Sequence, residues 1–268
     1  MNMKDKILSH FTAECPWRDT LHWYDTIDST NTRAKLMAKE GAPHGTVLIA
    51  GHQTAGRGRL GRSFSSPGGM GVYLSVILRP GCTPDKLMHL TCAAAVAGCK
   101  AVEAVSGISP GIKWTNDLVC GKRKLGGILT ELSVDNTTGL VAWAIIGIGI
   151  NCNQQRSDFP DQLQDMATSL AQQTGSACST IRLAAALVEA LHEMDVQLLS
   201  GKLQLMDAYR SRCITLGQDV ILVRGDDTRY GKALELDDNG GLLVCFADGS
   251  LETISSGEVS VRGMYGYL

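Results

Sequence analysis

The amino-acid pattern changes character at Gly217, and this change constrains the fold more than any other feature. Before Gly217, short apolar strand patterns alternate with longer helical patterns, which is typical of an α/β domain. After it, only short strands remain, and turns rich in Asp, Asn and Gly separate them, which is typical of a small β-barrel. The four strands cover 220–223, 230–236, 242–246 and 251–254. We therefore predict a leader over 1–20, an α/β domain over 21–215 and a barrel over 217–268.

Capping residues and apolar spacing define the helices of the α/β domain. Several N-cap candidates precede a helix that ends at Gly41. Thr83-Pro84-Asp85 is a strong helix start, and the apolar face that follows continues to Gly107. Further helices are predicted over 159–173, 180–199 and 202–212. Strands are predicted over 46–50, 73–78, 112–114, 118–120, 128–134 and 141–148.

Charge and cysteine usage exclude several classes of protein. The chain has 25 basic and 27 acidic residues, so its net charge of −2 argues against a general nucleic-acid binder. Its 9 cysteines are scattered without a CxxC pair or a zinc-ligand cluster, which predicts reduced thiols. The start of the chain has no apolar core typical of a signal peptide. The apolar run over 140–150 is shorter than the roughly 18 residues that span a bilayer. We expect a cytoplasmic protein without a membrane anchor.

The segment Gly56-Arg57-Gly58-Arg59-Leu60-Gly61-Arg62 alternates glycine with arginine, which suits neither a helix nor a strand interior. Glycine exposes backbone N–H groups and permits positive φ. Arginine offers a permanent charge and a fork of donors that matches carboxylate and phosphate oxygens. Such a loop can clamp a polyanion, and the alternative is a flexible basic surface loop. The Walker A and kinase motifs are absent from the sequence, so a nucleotide site here is of another type.

Two neighbouring segments combine lysine, acid and glycine. They are Lys113-Trp114-Thr115-Asn116-Asp117 and Lys124-Leu125-Gly126-Gly127. A lysine at the edge of a sheet can reach a carboxylate and an α-phosphate together, and the glycines let a ligand approach the backbone closely. Asp117 could orient a lysine nucleophile or bind magnesium. The alternative for this turn is a solvated hairpin tip.

Two other segments place small or polar residues at the ends of elements. Ser29-Thr30-Asn31 begins a predicted helix, whose N-terminus favours an anion or a urea-type carbonyl. Plain helix capping is the alternative, and the two roles are compatible. Gly147-Ile148-Gly149-Ile150-Asn151 would let a ligand pack closely on a strand end, or would simply allow tight strand packing.

Taken in order and approximate spacing, these segments resemble the biotin protein ligase family. The matching residues also include Gln53, Ser66-Pro67 and Ser256-Gly257-Glu258-Val259-Ser260. The resemblance extends over 23–262, and the ordered set is far more specific than any single motif. It implies an α/β (α+β) ligase domain with a mixed sheet, shared with lipoate ligases, and an SH3-like C-terminal barrel. It also implies ATP-dependent ligation of biotin to a lysine of a biotin carboxyl carrier protein through biotinyl-5'-AMP.

The resemblance implies a role for each matched residue. Biotin would be bound by Ser29, Thr30, Asn31, Gln53, Arg57, Gly58, Arg59, Lys124, Gly126 and Gly127. The nucleotide would be bound by Arg59, Arg62, Phe64, Asn116 and Asn151, with Phe64 where the family often has a Trp that stacks on adenine. Catalysis would depend on Lys124, Arg57, Arg59 and Asp117. Magnesium is expected with ATP, and Asp117 is its candidate protein ligand.

The sequence departs from the family pattern in three places. Thr115 replaces the usual proline of KWPND, and Leu60 stands where some members carry a third arginine. A winged helix cannot fit before Ser29, so DNA binding is not expected. The expected partner is the carrier protein of acetyl-CoA carboxylase or a related carboxylase, and a homodimer stays open. The alternatives are a lipoate or octanoate ligase of the same fold, a biotin-sensing regulator without catalysis, and an RNA binder that uses the Gly-Arg loop.

Overall fold

The computed structural model describes residues 1–11, 15–224, 227–255 and 260–263. Its first unit is built on seven strands, which are β1 (Leu21–Ile27), β2 (Thr46–Gln53), β3 (Gly71–Leu78), β4 (Gly111–Lys113), β5 (Asp117–Cys120), β6 (Arg123–Val134) and β7 (Val141–Asn151). They form one sheet in the order β1-β2-β3-β7-β6-β5-β4. β1 and β2 are parallel, and the other neighbouring pairs are antiparallel. The predicted mixed sheet is confirmed.

Helices cover both faces of this sheet. They are α1 (Met3–Leu8), α2 (Thr30–Lys39), α3 (Leu90–Ser106), α4 (Leu170–Thr174), α5 (Thr180–Gln197) and α6 (Lys202–Arg210). α2 packs against Leu48, Ile77 and Ile145, which project from one face. The alternate residues of the same strands belong to the main core, where α3 packs against α5 and α6.

α3 is the central core helix, and almost all of its first three turns are buried. Its many alanines let neighbouring elements approach closely. The stretch Pro84–Ser106 is long and apolar enough to cross a membrane by length and composition alone, but 67% of its apolar window is buried inside the protein. A buried core helix accounts for that composition. The first residues of the predicted helix, Pro84–Leu87, form a 3-10 turn instead.

The helix predicted over 159–173 is wrong for most of its length. Only Leu170–Thr174 is α-helical, and Asp161–Leu163 is a 3-10 turn. The segment between them lies beside β6, because the Lys124 N–H donates to the Met166 carbonyl at 2.7 Å and the Thr168 N–H donates to the Lys124 carbonyl at 2.8 Å. At Met166 and Thr168, backbone bonds to a strand replace those that a helix would make.

The residues predicted as a leader, 1–20, contain structure that the sequence pattern did not indicate. α1 contacts α5, and its Ile7 is only 1% exposed. Trp17, in the 3-10 turn Pro16–Arg18, is also buried. The strand β1 was likewise missed, because its polar and apolar residues do not alternate cleanly.

The second unit is a five-stranded antiparallel sheet. Its strands are β8 (Asp219–Arg224), β9 (Asp227–Leu236), β10 (Leu242–Phe246), β11 (Leu251–Ile254) and β12 (Ser260–Gly263). The order is β11-β10-β9-β8-β12. This small all-β unit confirms the predicted fold class. Residues 256–259 of the stretch Ser256-Gly257-Glu258-Val259-Ser260 lie outside the described residues.

Candidate functional site

Two adjoining cavities lie where the glycine-arginine loop, 56–62, crosses the first sheet. The narrower has a volume of about 60 Å³ and the wider about 230 Å³. Both are lined by Gly58, Arg59, Phe64, Asn116 and Lys124. All the site residues predicted from the sequence, apart from Gly126, line at least one of them. The structure therefore brings the dispersed motifs into one place.

A chain of polar side chains lines one end of the narrower cavity. Ser29, which precedes α2, makes no side-chain cap bond. The Thr30 backbone N–H donates to Gln53 Oε1 at 2.8 Å, and Gln53 Nε2 donates to Ser66 Oγ at 2.9 Å. The Ser66 hydroxyl donates to the Phe64 carbonyl at 3.0 Å. The start of α2 is thereby tied to the segment that carries Phe64.

Ser75 belongs to this polar chain and was missed in the sequence. Its Oγ lies 2.7 Å from Thr30 Oγ1 and 2.6 Å from Asn31 Oδ1. A hydroxyl has a single proton and an amide oxygen only accepts. The Ser75 proton therefore bonds Asn31 Oδ1 or Thr30 Oγ1, and the Thr30 hydroxyl in turn faces Gln53 Oε1 at 3.1 Å. The polar side chain of Ser75 inside an otherwise apolar strand was the available signal, because buried polar groups need partners.

Asn31 lies across β7 with its amide held in one direction. A Cβ at Gly147 would lie 2.0 Å from Asn31 Oδ1, so only glycine leaves room for this side chain. Gly147 pairs with Ser75 on β3 and with Leu129 on β6. Asn31 Nδ2 donates to the Leu129 carbonyl at 3.3 Å and to Glu131 Oε2 at 3.1 Å. The strands on either side of β7 therefore determine which way the amide points.

Phe64 packs over Gly149, two residues further along β7. A Cβ at Gly149 would lie 2.5 Å from Phe64 Cε1. The edge of the Phe64 ring meets Tyr73, with ring centroids 6.4 Å apart. Because side chains two apart in a strand share a face, Gly147 and Gly149 open the same face of β7 to the narrower cavity.

Lys124 and Asp117 form an ion pair where the two cavities meet. Lys124 Nζ lies 2.6 Å from Asp117 Oδ1. The backbone bonds of Lys124 to Met166 and Thr168 fix its position on β6. Gly127 lies against this lysine, since a Cβ there would be 3.3 Å from Nζ. An amine is thus held beside a carboxylate while one third of the lysine side chain stays exposed.

Arg59 reaches from the loop to the turn between β4 and β5. Its NH1 group donates to Thr115 Oγ1 at 2.9 Å and to Asn116 Oδ1 at 2.8 Å. Asn116 Nδ2 donates to the Ile128 carbonyl at 3.0 Å. Burial lowers the pKa of Arg59, and the nearby Asp117 carboxylate opposes that shift. The guanidinium stays charged at any working pH, so a permanent cation lies in a partly desolvated place.

Thr115 replaces the proline of the family pattern, and its hydroxyl accepts the bond from Arg59. Proline has no such group. The backbone carbonyl of Thr115 accepts a hydrogen bond from the buried Tyr209 hydroxyl at 3.0 Å. The substitution therefore gains one contact to the loop, and Asn116 and Asp117 still line the wider cavity.

The glycine-arginine loop folds back on itself as a short hairpin. Arg57 and Ser63 form an antiparallel bridge, and the Gly58 N–H donates to the Arg62 carbonyl at 2.7 Å. Leu60, at the tip, has a φ of 55° and an exposed side chain. The fold points Arg57 towards the narrower cavity and Arg62 towards the wider one.

Glu131 is a second residue that the sequence did not indicate. Its Oε1 atom lies 2.5 Å from Lys35 Nζ and 3.3 Å from Arg57 NH1. An acid within the apolar strand pattern of β6 was the only available signal. The role of Glu131 depends on its contacts with α2 and with the glycine-arginine loop, which are both distant from it in sequence.

The wider cavity is walled by the segment that follows β7. Its lining there consists of Asn151, Phe159, Leu163, Met166 and Ala167. Asn151 Nδ2 donates to the Thr168 carbonyl at 3.1 Å, and its Oδ1 accepts from Gln154 at 3.2 Å. Asn151 belongs to a motif recognisable in the sequence, whereas the apolar wall lies in a segment for which the pattern predicts a helix.

Gly126 lines neither cavity. A Cβ at this position would lie 2.5 Å from the carbonyl oxygen of Gly149 on the neighbouring strand. The structure thus requires glycine here for the contact between β6 and β7.

Among the described residues, no group of three His, Cys, Asp or Glu side chains is arranged to hold a metal ion. Asp117 lines the wider cavity but is paired with Lys124. Mg²⁺ usually keeps several waters and binds one or two carboxylates together with phosphate oxygens. These residues fit a magnesium ion that arrives with a nucleotide better than a resident one.

Residues 23–151 match the Biotin/lipoate A/B protein ligase family, and 215–262 match the Biotin protein ligase C terminal domain. The Biotin--[acetyl-CoA-carboxylase] ligase of Mycobacterium tuberculosis is 32% identical, over 96% of this chain and 93% of its own length. The chain belongs to the biotin protein ligase family. This membership confirms the resemblance, and with it the predicted class of enzyme.

Other biotin protein ligases agree with this assignment. The bifunctional ligase/repressor BirA of Bacillus spizizenii is 37% identical, over 90% of this chain and 74% of its own length. The solved biotin protein ligase from Aquifex aeolicus in complex with biotin and ATP is 32% identical. Its TM-score is 0.76, with 91% of this chain and 98% of that chain covered.

Proposed function

We propose that this biotin protein ligase attaches biotin to a lysine of a biotin carboxyl carrier protein, using ATP and passing through biotinyl-5'-AMP. One observation carries the proposal: a narrow polar cavity and a wider cavity meet at Lys124 and Arg59. The structure of the Aquifex relative contains biotin and ATP, and the Mycobacterium relative is named as an acetyl-CoA-carboxylase ligase. Two substrates whose reacting groups are both anions would need cations where they meet.

Biotin would occupy the narrower cavity. Its ureido ring needs both donors and acceptors in an enclosed pocket, and Ser29, Thr30, Asn31 and Gln53 supply them. Asn31 Nδ2 already makes two hydrogen bonds, so Asn31 would act through its oxygen. The ligand carboxylate would lie towards Gly127 and Lys124, with Arg57 and Gly58 along its side.

ATP would occupy the wider cavity. Phe64 offers a ring for adenine, and Arg62, Asn116 and Asn151 line the same space. The apolar wall that includes Phe159 would cover the base. The α-phosphate would then lie near Arg59 and Lys124, beside the biotin carboxylate.

In the first step, a biotin carboxylate oxygen attacks the α-phosphorus, and the bond to the β-phosphate bridging oxygen breaks to release pyrophosphate. Arg59 and Lys124 would reduce the repulsion between the reacting anions and stabilise the negative charge that develops. Magnesium, when bound with ATP, would supply further charge neutralisation. The mixed anhydride reacts with water, so a loop that closes over it would protect it.

In the second step, the carrier lysine amine attacks the biotinyl carbonyl and AMP leaves. Asp117 is the acid that lines the wider cavity among the described residues, and it would orient or deprotonate that amine. Asp117 is paired with Lys124 here, and movement of Lys124 onto the phosphate would open one side of the carboxylate to the amine.

The test is transfer of biotin to a carrier domain of acetyl-CoA carboxylase, with MgATP, read by intact mass. A gain of one biotin on the carrier that requires ATP is the expected result. A gain with lipoate alone would assign the chain to lipoate ligation instead. No gain with either acid would overturn the proposal.

A further inference from the structure

Glu131 is a half-buried carboxylate on β6 that the mechanism above does not use. Oε1 accepts from Lys35 at 2.5 Å and lies 3.3 Å from Arg57, and Oε2 accepts from Asn31 at 3.1 Å. Asn31 and Lys35 belong to α2, whereas Arg57 belongs to the glycine-arginine loop. A single carboxylate therefore joins α2, whose first residues line the narrower cavity, to the glycine-arginine loop, which lines the same cavity.

We propose that Glu131 is a positioning residue that couples the orientation of Asn31 to the closed position of the glycine-arginine loop. The inference rests on the proposed function, because it assigns to that loop the retention of biotin and biotinyl-5'-AMP. Glu131 itself lines neither cavity, so it acts through Arg57 and Asn31 rather than on the ligand.

The contact with Arg57 preorganises the loop. The Arg57 side chain is 41% exposed, and a long side chain that exposed loses considerable entropy when a ligand fixes it. Glu131 already holds the guanidinium over the narrower cavity, which reduces that cost and slows escape of the ligand. Arg57 NH1 lies 3.3 Å from one carboxylate oxygen and 3.4 Å from the other.

The contact with Asn31 fixes the opposite end of the same cavity. Ser75 holds Oδ1 from β3, and Glu131 with Leu129 holds Nδ2 from β6. Reversal of the amide would turn Nδ2 towards the Ser75 hydroxyl and would set Oδ1 against the Glu131 carboxylate. Glu131 therefore penalises the reversed amide by charge repulsion.

The test is the dissociation rate of biotin and of biotinyl-5'-AMP from the full chain, measured by rapid displacement. Glu131→Gln keeps an oxygen that accepts from Asn31 but removes the charge that pairs with Arg57. We expect dissociation to accelerate about two- to fivefold, the range for a partly exposed ion pair. The rate of adenylation in the saturated complex should change less than about twofold, because Lys124 and Arg59 are untouched. Wild-type dissociation rates in Glu131→Gln would overturn the inference.

A double variant separates coupling from general damage. If Glu131 acts through Arg57, adding Glu131→Gln to Arg57→Ala should not accelerate dissociation further. Additive effects of the two changes would contradict the inference.

Lys35→Met is the matched control, because it removes the other cation on Glu131 and leaves Arg57 paired. Dissociation should stay at the wild-type rate in this variant. An increase equal to that of Glu131→Gln would show a general effect of charge balance and overturn the specific coupling.

The same measurements distinguish the two proposals. If the wild-type chain binds biotin but fails to modify the carrier, the proposed function fails while the effect of Glu131 on dissociation is still measured. If the chain modifies the carrier and Glu131→Gln retains ligand normally, only the inference fails. A chain that binds no biotin overturns both.

Discussion

Three of the cations that line the two cavities, Arg57, Arg59 and Lys124, differ in what holds them, and this difference assigns them different tasks. Lys124 is paired with Asp117 and Arg57 with Glu131, whereas the hydrogen bonds of Arg59 go to a hydroxyl and an amide. A cation bonded to neutral groups keeps more of its charge available to a ligand. Burial strengthens its interactions further because the local dielectric is low. We therefore expect Arg59 to bind phosphate and Lys124 to change partners during the reaction.

Lys124→Ala should suppress adenylation by about 10²- to 10³-fold, the usual cost of removing a charge-stabilising donor. The reason is that Lys124 lies where the biotin carboxylate and the α-phosphate would meet. Biotin-dependent release of pyrophosphate measures the effect. Lys122→Ala, at the exposed turn before β6, is the control and should retain full activity. Undiminished pyrophosphate release in Lys124→Ala would remove the lysine from this role.

Arg57→Ala and Arg59→Ala should each release biotinyl-5'-AMP prematurely and weaken selectivity for the carrier. Free intermediate can react with other lysines in solution, so biotin should appear on bystander proteins. The measurement is intermediate released into solution, together with biotin on serum albumin added to the reaction. Normal retention in both variants would contradict the loop-clamp proposal.

At the scale of elements, β7 is the platform of the site because two of its residues lack side chains. Gly147 accommodates Asn31 and Gly149 accommodates Phe64, so one strand serves both cavities. The Gly-Ile-Gly-Ile-Asn pattern by itself favours close strand packing and a ligand site equally. The structure shows that the glycines make room for side chains of α2 and of the loop segment.

Gly147→Ala and Gly149→Ala should therefore have different effects. Alanine at 147 displaces Asn31 and should weaken biotin binding by at least about tenfold, whereas alanine at 149 displaces Phe64 and should mainly weaken ATP binding. Calorimetric titration with each ligand measures the two effects. Gly68→Ala is the control, since a Cβ there meets only His52 Cβ at 3.8 Å. Equal losses for both ligands in both variants would contradict this division.

At the scale of the molecule, the two units share one continuous core. Core residues of both the mixed sheet and the five-stranded sheet belong to a single buried cluster. Trp114, whose backbone precedes Asn116 at the site, donates from Nε1 to the Gly240 carbonyl in the turn between β9 and β10 at 2.8 Å. The small β unit thus supports the turn that carries the site residues of the wider cavity.

Trp114→Phe should lower the free energy of unfolding by about 1–3 kcal/mol, because the buried Gly240 carbonyl loses its donor. Urea denaturation of the whole chain measures the change. Trp143→Phe is the control, since the Trp143 indole N–H has no hydrogen-bond partner among the residues that the structure describes. An equal decrease in the free energy of unfolding in both variants would show that the smaller ring, and not the lost hydrogen bond, causes the effect.

Local sequence determined a large part of this protein. Glycine and arginine in alternation dictate a loop, and the turn residues after Gly217 dictate short antiparallel strands. These properties depend on neighbours in the chain, so composition and spacing are sufficient to predict them. The order of the motifs also predicted the family, and the similarity to known biotin protein ligases confirms it.

Only the tertiary structure decided the contributions of Ser75, Glu131 and the segment over 159–169. Ser75 bonds Asn31 across 44 positions of sequence, and Glu131 meets Arg57 across 74. The segment over 159–169 is helical by composition, yet its Met166 carbonyl and Thr168 N–H bond Lys124 on β6. Each depends on a partner that the chain brings near only after folding, and local propensity contains no information about that partner.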